Sequence, residues 1–303
     1  MSGEKERVGF IGVGLMGHGI AKNIVEAGYP LTVMGHRNRE PVEDLRKRGA
    51  REAETIGELS AGCEIVFLCL PGSPQVEAAV QDILAAKGAV HTIVDCSTSN
   101  PVSTRALSDT CKEAGVTLVD APLARTPKEA WAGQLDTMVG ADAADFERLE
   151  PLFESWAARI VRVGDVGAGH TVKLLNNFVA LGYAALYSEV LVIAAKNGVE
   201  ATTVRDIING SRMDCGFFQT FMQYAVDGDR DAHKFTLRNA HKDMRYVTGL
   251  ANESGIASHL ASGVKNSFAT AEAIGRGDDF VPMLADVVAE LNGVRRTTKD
   301  NHA

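Results

Sequence analysis

Three glycines, Gly12, Gly14 and Gly17, stand between the apolar run "RVGFIG" and the helix-like run "MGHGIAKNIVEAG". A Gly-x-Gly-x-x-Gly spacing after a strand and before a helix limits the fold more than any other feature of this chain. Gly12 permits a tight turn, Gly14 lets phosphates approach the backbone, and Gly17 lets helix and strand pack closely. With Val13, Leu15 and Met16 they form a loop whose amides, at a helix N-terminus, face an anion with a positive dipole end. Three turn glycines without a ligand are the competing reading, and the strand–turn–helix context weighs against it. The motif predicts a dinucleotide site.

The next stretches agree with a parallel sheet. "PLTVMG", "EIVFLCLP", "HTIVDCS" and "VTLVDAP" read as strands, separated by the helical runs "REPVEDLRKRG", "SPQVEAAVQDILAA" and "NPVSTRALSDTCKEAG". Near-continuous apolar strands alternating with amphipathic helices mean a sheet covered on both faces, a doubly wound Rossmann-type α/β layer. "LDTMVG" and "ARIVRVG" extend it to about Gly164. After Gly164 no strand pattern returns. A long helix over His170–Lys196, stopped by Gly198, joins an all-helical domain with further helices at 202–209, 217–226, 237–253, 256–273 and 280–292. The expected division is 1–165, 166–295 and a tail over 296–303.

Composition bounds the partners. Across 303 residues, 31 Lys plus Arg against 39 Asp plus Glu give a net charge of -8, which argues against a nucleic-acid backbone as partner. A small anion in a local basic pocket stays open. The cysteines Cys63, Cys69, Cys96, Cys111 and Cys215 show no metal-ligand spacing, and an odd count without a secretory segment fits the cytoplasm. The apolar tract Phe178–Tyr187 reads as too short to cross a bilayer. The apolar helical domain suggests a homodimer or homotetramer.

Two further stretches carry chemistry. "GHRNRE" lies about 20 residues after the glycines, where an NAD site places an acid for the ribose hydroxyl. Here Arg37, Asn38 and Arg39 stand there instead. Guanidinium forks suit a 2′-phosphate, so NADP(H) is favoured and NAD(H) stays possible; solvated loop arginines are the alternative. In "GHTVKLLNN", Lys173 shares a helix face with Asn176 and Asn177. Burial lowers a lysine's pKa toward the range useful for proton transfer. A lysine that snorkels from a core helix reads equally well from these residues alone.

Taken together, these motifs resemble the β-hydroxyacid dehydrogenase family over nearly the whole chain, in order. "GFIGVGLMG" matches its glycine loop. The resemblance implies that Leu70 and Pro71 of "CLP" border the cofactor, and that Ser97 and Thr98 of "DCSTSNP" lie near the nicotinamide, with Thr98 also orienting substrate. "GAGHTVKLLNN" matches GxGxxxKxxxN, implying Lys173 as catalytic lysine and Asn177 as substrate ligand. "HKDM" implies Lys242 beside the cofactor. "DAPLARTPKEAWAGQLDTMVG" matches the substrate loop in frame but departs in its middle, where most members have Ser-Gly-Gly and this chain has Ala124, Arg125 and Thr126. A near-identical Gly-Arg-Thr occurs in the sulfolactaldehyde reductase branch. Arg125 can give a sulfonate two hydrogen bonds and Thr126 a third; alternatively Arg125 turns outward to Glu129. The expectation is a hydride-transferring oxidoreductase of a small anionic carbonyl compound, sulfolactaldehyde or a semialdehyde. Imine reductase and a non-catalytic scaffold are the alternatives. No metal is implied.

Overall fold

The computed structural model describes residues 5–295, so the expected tail over 296–303 lies outside the described residues. The chain divides into two compact units, Met1–Lys173 and Leu174–Ala303.

In chain order the first unit runs β1 (Val8–Ile11), α1 (Leu15–Glu26), β2 (Leu31–Met34), α2 (Glu40–Lys47), β3 (Arg51–Ala53), α3 (Ile56–Gly62), β4 (Ile65–Leu68) and α4 (Ser73–Ala86). It continues with β5 (Thr92–Asp95), α5 (Pro101–Glu113), β6 (Thr117–Asp120), β7 (Leu123–Ala124), α6 (Pro127–Ala132), β8 (Leu135–Gly140), α7 (Ala143–Phe153) and β9 (Ala157–Gly164). Strands β3-β2-β1-β4-β5-β6 lie side by side in parallel. Every residue of β1, β4 and β5 is buried, which is why these strands read as unbroken apolar runs. Phe10 and Phe67 pack on one face with Trp156, while Ile11, Val66 and Leu68 pack on the other with Leu59 and Val80. Alternate side chains thus feed two cores, as a doubly wound sheet requires.

The far edge is mixed rather than parallel. β8 runs antiparallel to β6 and β7 and parallel to β9. β3, β7, α3, α6 and α7 were not anticipated. The two strands are three and two residues long, too short to show a period of two. α6 has six residues, under two turns, so no helical stripe can emerge.

The helical unit continues α8 (Ala168–Lys196) with α9 (Ala201–Ile208), α10 (Gly216–Asp227), α11 (Leu237–Glu253), α12 (His259–Ala273), a 3₁₀ turn at Val281–Met283, and α13 (Leu284–Leu291). Leu174, Leu181, Ala184 and Leu191 of α8 enter one core with Phe218, Phe221, Met244 and Phe268. α8 as a whole is long and apolar enough to cross a membrane by length and composition. This corrects the expectation drawn from Phe178–Tyr187, because the helix is apolar well beyond that tract.

Candidate active site

The strand order reverses between β1 and β4, so the loops after these strands diverge and leave a crevice at their C-terminal ends. The glycine loop lies there. Gly12 has φ +102°, and a Cβ on it would sit 2.2 Å from the Cys69 carbonyl oxygen; one on Gly17 would sit 2.0 Å from that of Gly12. A Cβ on Gly14 meets nothing within 4 Å. Gly14 is the N-cap of α1 and supplies no side-chain cap, so the first amides of the helix stay open to an anion. Leu15 is 80% exposed at the loop's rim, whereas Val13 is buried and Met16 packs against the core. These features fit a dinucleotide pyrophosphate, with Val13 contributing backbone.

The neighbouring loops are bonded to each other. The Leu70 N–H donates to Ser97 Oγ at 2.9 Å, and the Ser97 N–H donates to Asp95 Oδ1 at 2.9 Å. Ser97 is buried and Thr98 half-buried, so Ser97 braces the two loops while Thr98 is the more accessible of the pair. Before Leu70 and Pro71, burial pushes the Cys69 thiol up to about 12, which keeps it protonated and removes it as a nucleophile.

The two arginines after β2 have separate fates. Arg39 Nη2 lies 2.7 Å from Glu52 Oε1. Asn38 Oδ1 accepts the Glu40 N–H at 3.1 Å and starts α2. Arg37 is exposed. An open hollow beside them is lined by Gly35, Arg39, Arg46, Arg51 and Glu52. Arg37 is therefore the guanidinium not already held by Glu52.

The substrate loop contains the most unusual backbone. Ala124 pairs with Asp136 across β7 and β8. Arg125 follows with φ +85°, a left-handed conformation that glycine adopts freely and that costs other residues roughly 1–2 kcal/mol. Its Nε–H donates to Asp136 Oδ1 at 2.9 Å. Glu129 is not its partner, because that carboxylate closes a capping box with Thr126 at the start of α6. The Thr126 amide (3.1 Å) and hydroxyl both donate to Glu129 Oε2 and hold its carboxyl below the usual range. For Thr126 to donate to a sulfonate as expected, its hydroxyl would exchange this bond to Glu129. Asn23 Nδ2 of α1 donates to the Ala130 carbonyl at 2.8 Å, tying α6 to the helix that opens at the glycine loop.

The start of α8 is anchored by buried carboxylate. Asp120 accepts the N–H groups of Gly167 and His170, each at 2.7 Å. Burial raises the Asp120 pKa against the pull of His170 and these two amides. Lys173, half-buried, follows one turn after His170. Asn176 is exposed, and Asn177 is half-buried with its Nδ2 donating to Asp243 Oδ2 at 2.7 Å. Lys242 Nζ is 3.3 Å from Asp243 Oδ1 and 5.6 Å from the Tyr246 ring centroid. The "KLLNN" and "HKDM" motifs thus meet through Asp243, which fixes the Asn177 amide. Reading the sequence missed the roles of Asp95, Asp120 and Asp243. The signals were an acid ending each of two apolar strands, and one on the apolar stripe Ala240–Met244–Val247.

Comparison with known proteins matches this division of labour. Residues 7–164 match the family described as the NAD binding domain of 6-phosphogluconate dehydrogenase, and residues 167–286 the NAD-binding domain of NADP-dependent 3-hydroxyisobutyrate dehydrogenase. The chain is 30% identical over 292 residues to 2-(hydroxymethyl)glutarate dehydrogenase of Eubacterium barkeri, covering 95% of this chain and 96% of that one. It is 26% identical over 288 residues to 3-sulfolactaldehyde reductase of Escherichia coli, covering 92% and 95%. The fold superposes on 3-hydroxyisobutyrate dehydrogenase of Mycobacterium tuberculosis, in a structure with L-serine, at TM-score 0.84 and 24% identity, covering 94% and 99%.

Proposed function

The chain belongs to the β-hydroxyacid dehydrogenase family, and from that premise we propose that it reduces a small aldehyde with an anionic head to the primary alcohol, using NADPH. The coarser activity, an NAD(P)-dependent oxidoreductase acting on hydroxyl or aldehyde groups, is common to its relatives. When bound, the nicotinamide supplies or accepts the hydride. The start of α1 would hold the pyrophosphate, and Arg37, with Arg39, would hold the 2′-phosphate. Leu70, Pro71 and Ser97 would border the cofactor.

Lys173 is the proton donor to the substrate oxygen in reduction and the acceptor in oxidation. It is half-buried and precedes the fully buried Leu174 on α8. Thr98 orients the reacting oxygen by donating to it, and the Asn177 carbonyl oxygen can accept only from a hydroxyl of the alcohol. Lys173 and Asn177 together also argue against an imine reductase and against a scaffold that has lost its chemistry.

The observation that carries the choice of head group is Arg125 at φ +85°. A residue placed where glycine is conformationally favoured has a function that compensates for the strain. Its Nε is bonded to Asp136, and the outer edge of the guanidinium, 47% exposed as a side chain, remains to grip an anion. Ala124 keeps the loop narrow beside it. The free edge of this fork can bond two oxygens of a sulfonate, the head group we propose. Similarity to the sulfolactaldehyde reductase supports that reading, and the slightly higher identity to the hydroxymethylglutarate enzyme keeps carboxylate aldehydes as the comparison set. The test is NADPH and NADH consumption by the purified protein with sulfolactaldehyde, tartronate semialdehyde and succinic semialdehyde. The highest kcat/KM is expected for NADPH with sulfolactaldehyde; absence of turnover with all three would end the proposal.

We also propose that the protein works as a homo-oligomer. Leu175, Val179, Tyr183, Leu186 and Ile193 form an exposed apolar row along one side of α8, about 27 Å long at the helical rise. The opposite side lies in the core of the helical unit, as befits a globular helix, and a second copy of the same row would cover it.

A further inference from the structure

His170 is completely buried one turn ahead of Lys173, and the chemistry above does not use it. Its Nδ1 lies 2.8 Å from Thr104 Oγ1 on α5. Thr104 donates its one hydroxyl proton to the Asn100 carbonyl at 3.1 Å, so toward His170 it accepts, and Nδ1 carries the hydrogen. The other nitrogen, Nε2, has no hydrogen-bond partner among the described residues and lies 3.6 Å from Asp95 Oδ2. Asp95 and Asp120 are opposite each other at the ends of β5 and β6. Asp95 is already bonded to the Ser97 amide and the Ser99 hydroxyl, and Asp120 to the start of α8.

Two amides on one carboxylate fix where α8 begins. The His170 side chain adds a third tether, from a different direction, to α5. That helix starts directly after the Ser97–Thr98 turn, with Asn100 as its N-cap. Three residues along a helix return to nearly the same face, so this tether sets the direction in which residue 173 projects. A rotation of about 10° moves a group about 6 Å from the axis by about 1 Å, and an error of about 1 Å in a reacting group costs about 10²-fold in rate.

We propose that His170 is a positioning residue of the reaction: its Nδ1–H bond to Thr104 locks the helix turn that carries Lys173 to the helix that carries the Ser97–Thr98 turn. The proposal rests on Lys173 being the proton donor. The experiment compares Lys173→Ala, His170→Leu, His170→Asn, Thr104→Val and the His170→Leu/Thr104→Val double variant in full-length protein. It measures kcat, NADPH dissociation constant, melting temperature, and the isotope effect with NADPH deuterated at the transferred position. His170→Leu is expected to lower kcat about 10²-fold and to raise the isotope effect, with the NADPH dissociation constant within twofold of wild type. His170→Asn, which keeps a donor at the Nδ1 position, should recover at least tenfold of the loss. Thr104→Val should reproduce the loss without touching His170, and it covers the case in which His170→Leu does not fold. The double variant should lose no more than either single one. A kcat within twofold of wild type in Thr104→Val, additive losses in the double variant, or no recovery by Asn would overturn the proposal. Should Lys173→Ala itself retain wild-type kcat, the proton-donor reading fails first; a loss there with none in Thr104→Val defeats only the role of His170.

Discussion

The two ends of α8 are built to opposite rules. Its first turn is polar and enclosed: Asp120 takes two amides, His170 bonds Thr104, and each of these side chains is almost fully buried. From Leu175 onward the helix instead leaves large apolar side chains in the open, Ile193 at 62% exposure among them. Buried polar groups bonded in this way hold one geometry. Exposed apolar rows are unspecific until something covers them. One helix therefore carries a segment suited to placing a reacting group and a segment suited to association.

The most damaging change at the first end is Lys173→Ala. Turnover should fall about 10²–10⁴-fold, the usual value of a positioned proton donor, while the NADPH dissociation constant, measured by fluorescence titration, stays near wild type. At the other end, Leu186→Glu should leave the cofactor site intact and break the association. Each copy would lose about 1.5–3 kcal/mol of apolar burial and gain a charge without a partner. Light scattering in detergent-free buffer should show an oligomer for wild type and a monomer for the variant. A monomeric wild type, or a wild type recovered with membranes, would remove the contrast between the two ends.

The sheet was legible because β1, β4 and β5 are buried on both faces and so read as apolar runs, and because the glycine motif fixed where they begin. The expected long helix began at His170, while the actual one begins at Ala168. The two added residues lie between Gly167 and His170, whose amides Asp120 accepts, a long-range bond that local periodicity does not encode. The same limit applies to the substrate loop. Frame and residue types placed Arg125 and Thr126 in it, but whether Glu129 served Arg125 or Thr126 depended on a capping box within a six-residue helix. The left-handed backbone at Arg125 leaves no trace in residue order, since only comparison with a glycine at that position points to it. Lys242 and Asn177 stand in separate motifs, and the acid that joins them, Asp243, is 66 residues from Asn177 in the chain.

Smaller effects sharpen the picture in the first unit. Arg37→Asp should erase or reverse the preference for NADPH over NADH, since a charge-assisted contact to phosphate contributes roughly 1.5–3 kcal/mol. Arg39→Ala should change the ratio less, because Arg39 is shared with Glu52. Paired dissociation constants for the two cofactors check both statements, and an unchanged ratio in Arg37→Asp contradicts them.

The smallest expected effect is on the stability of Arg125→Gly. Relief of left-handed strain contributes roughly 1–2 kcal/mol, offset by about 0.4–1 kcal/mol of unfolded-chain entropy and about 0.2–1 kcal/mol for the exposed pair with Asp136. Urea unfolding should therefore place the variant within about 1 kcal/mol of wild type. A loss of more than about 2 kcal/mol would make Arg125 a folding residue.

The same variant decides the central claim, that Arg125 is kept in a strained turn to read the substrate's anionic head. The measurement is kcat/KM with NADPH on sulfolactaldehyde and on its isosteric carboxylate aldehyde, for wild type and Arg125→Gly. Losing one fork from a partly desolvated anion should cost about 2–4 kcal/mol on the sulfonate. The carboxylate should lose less, since backbone amides of a glycine loop can recover part of it, so the sulfonate-to-carboxylate ratio is expected to fall at least tenfold. An equal loss on both substrates, or none on either, would contradict the claim.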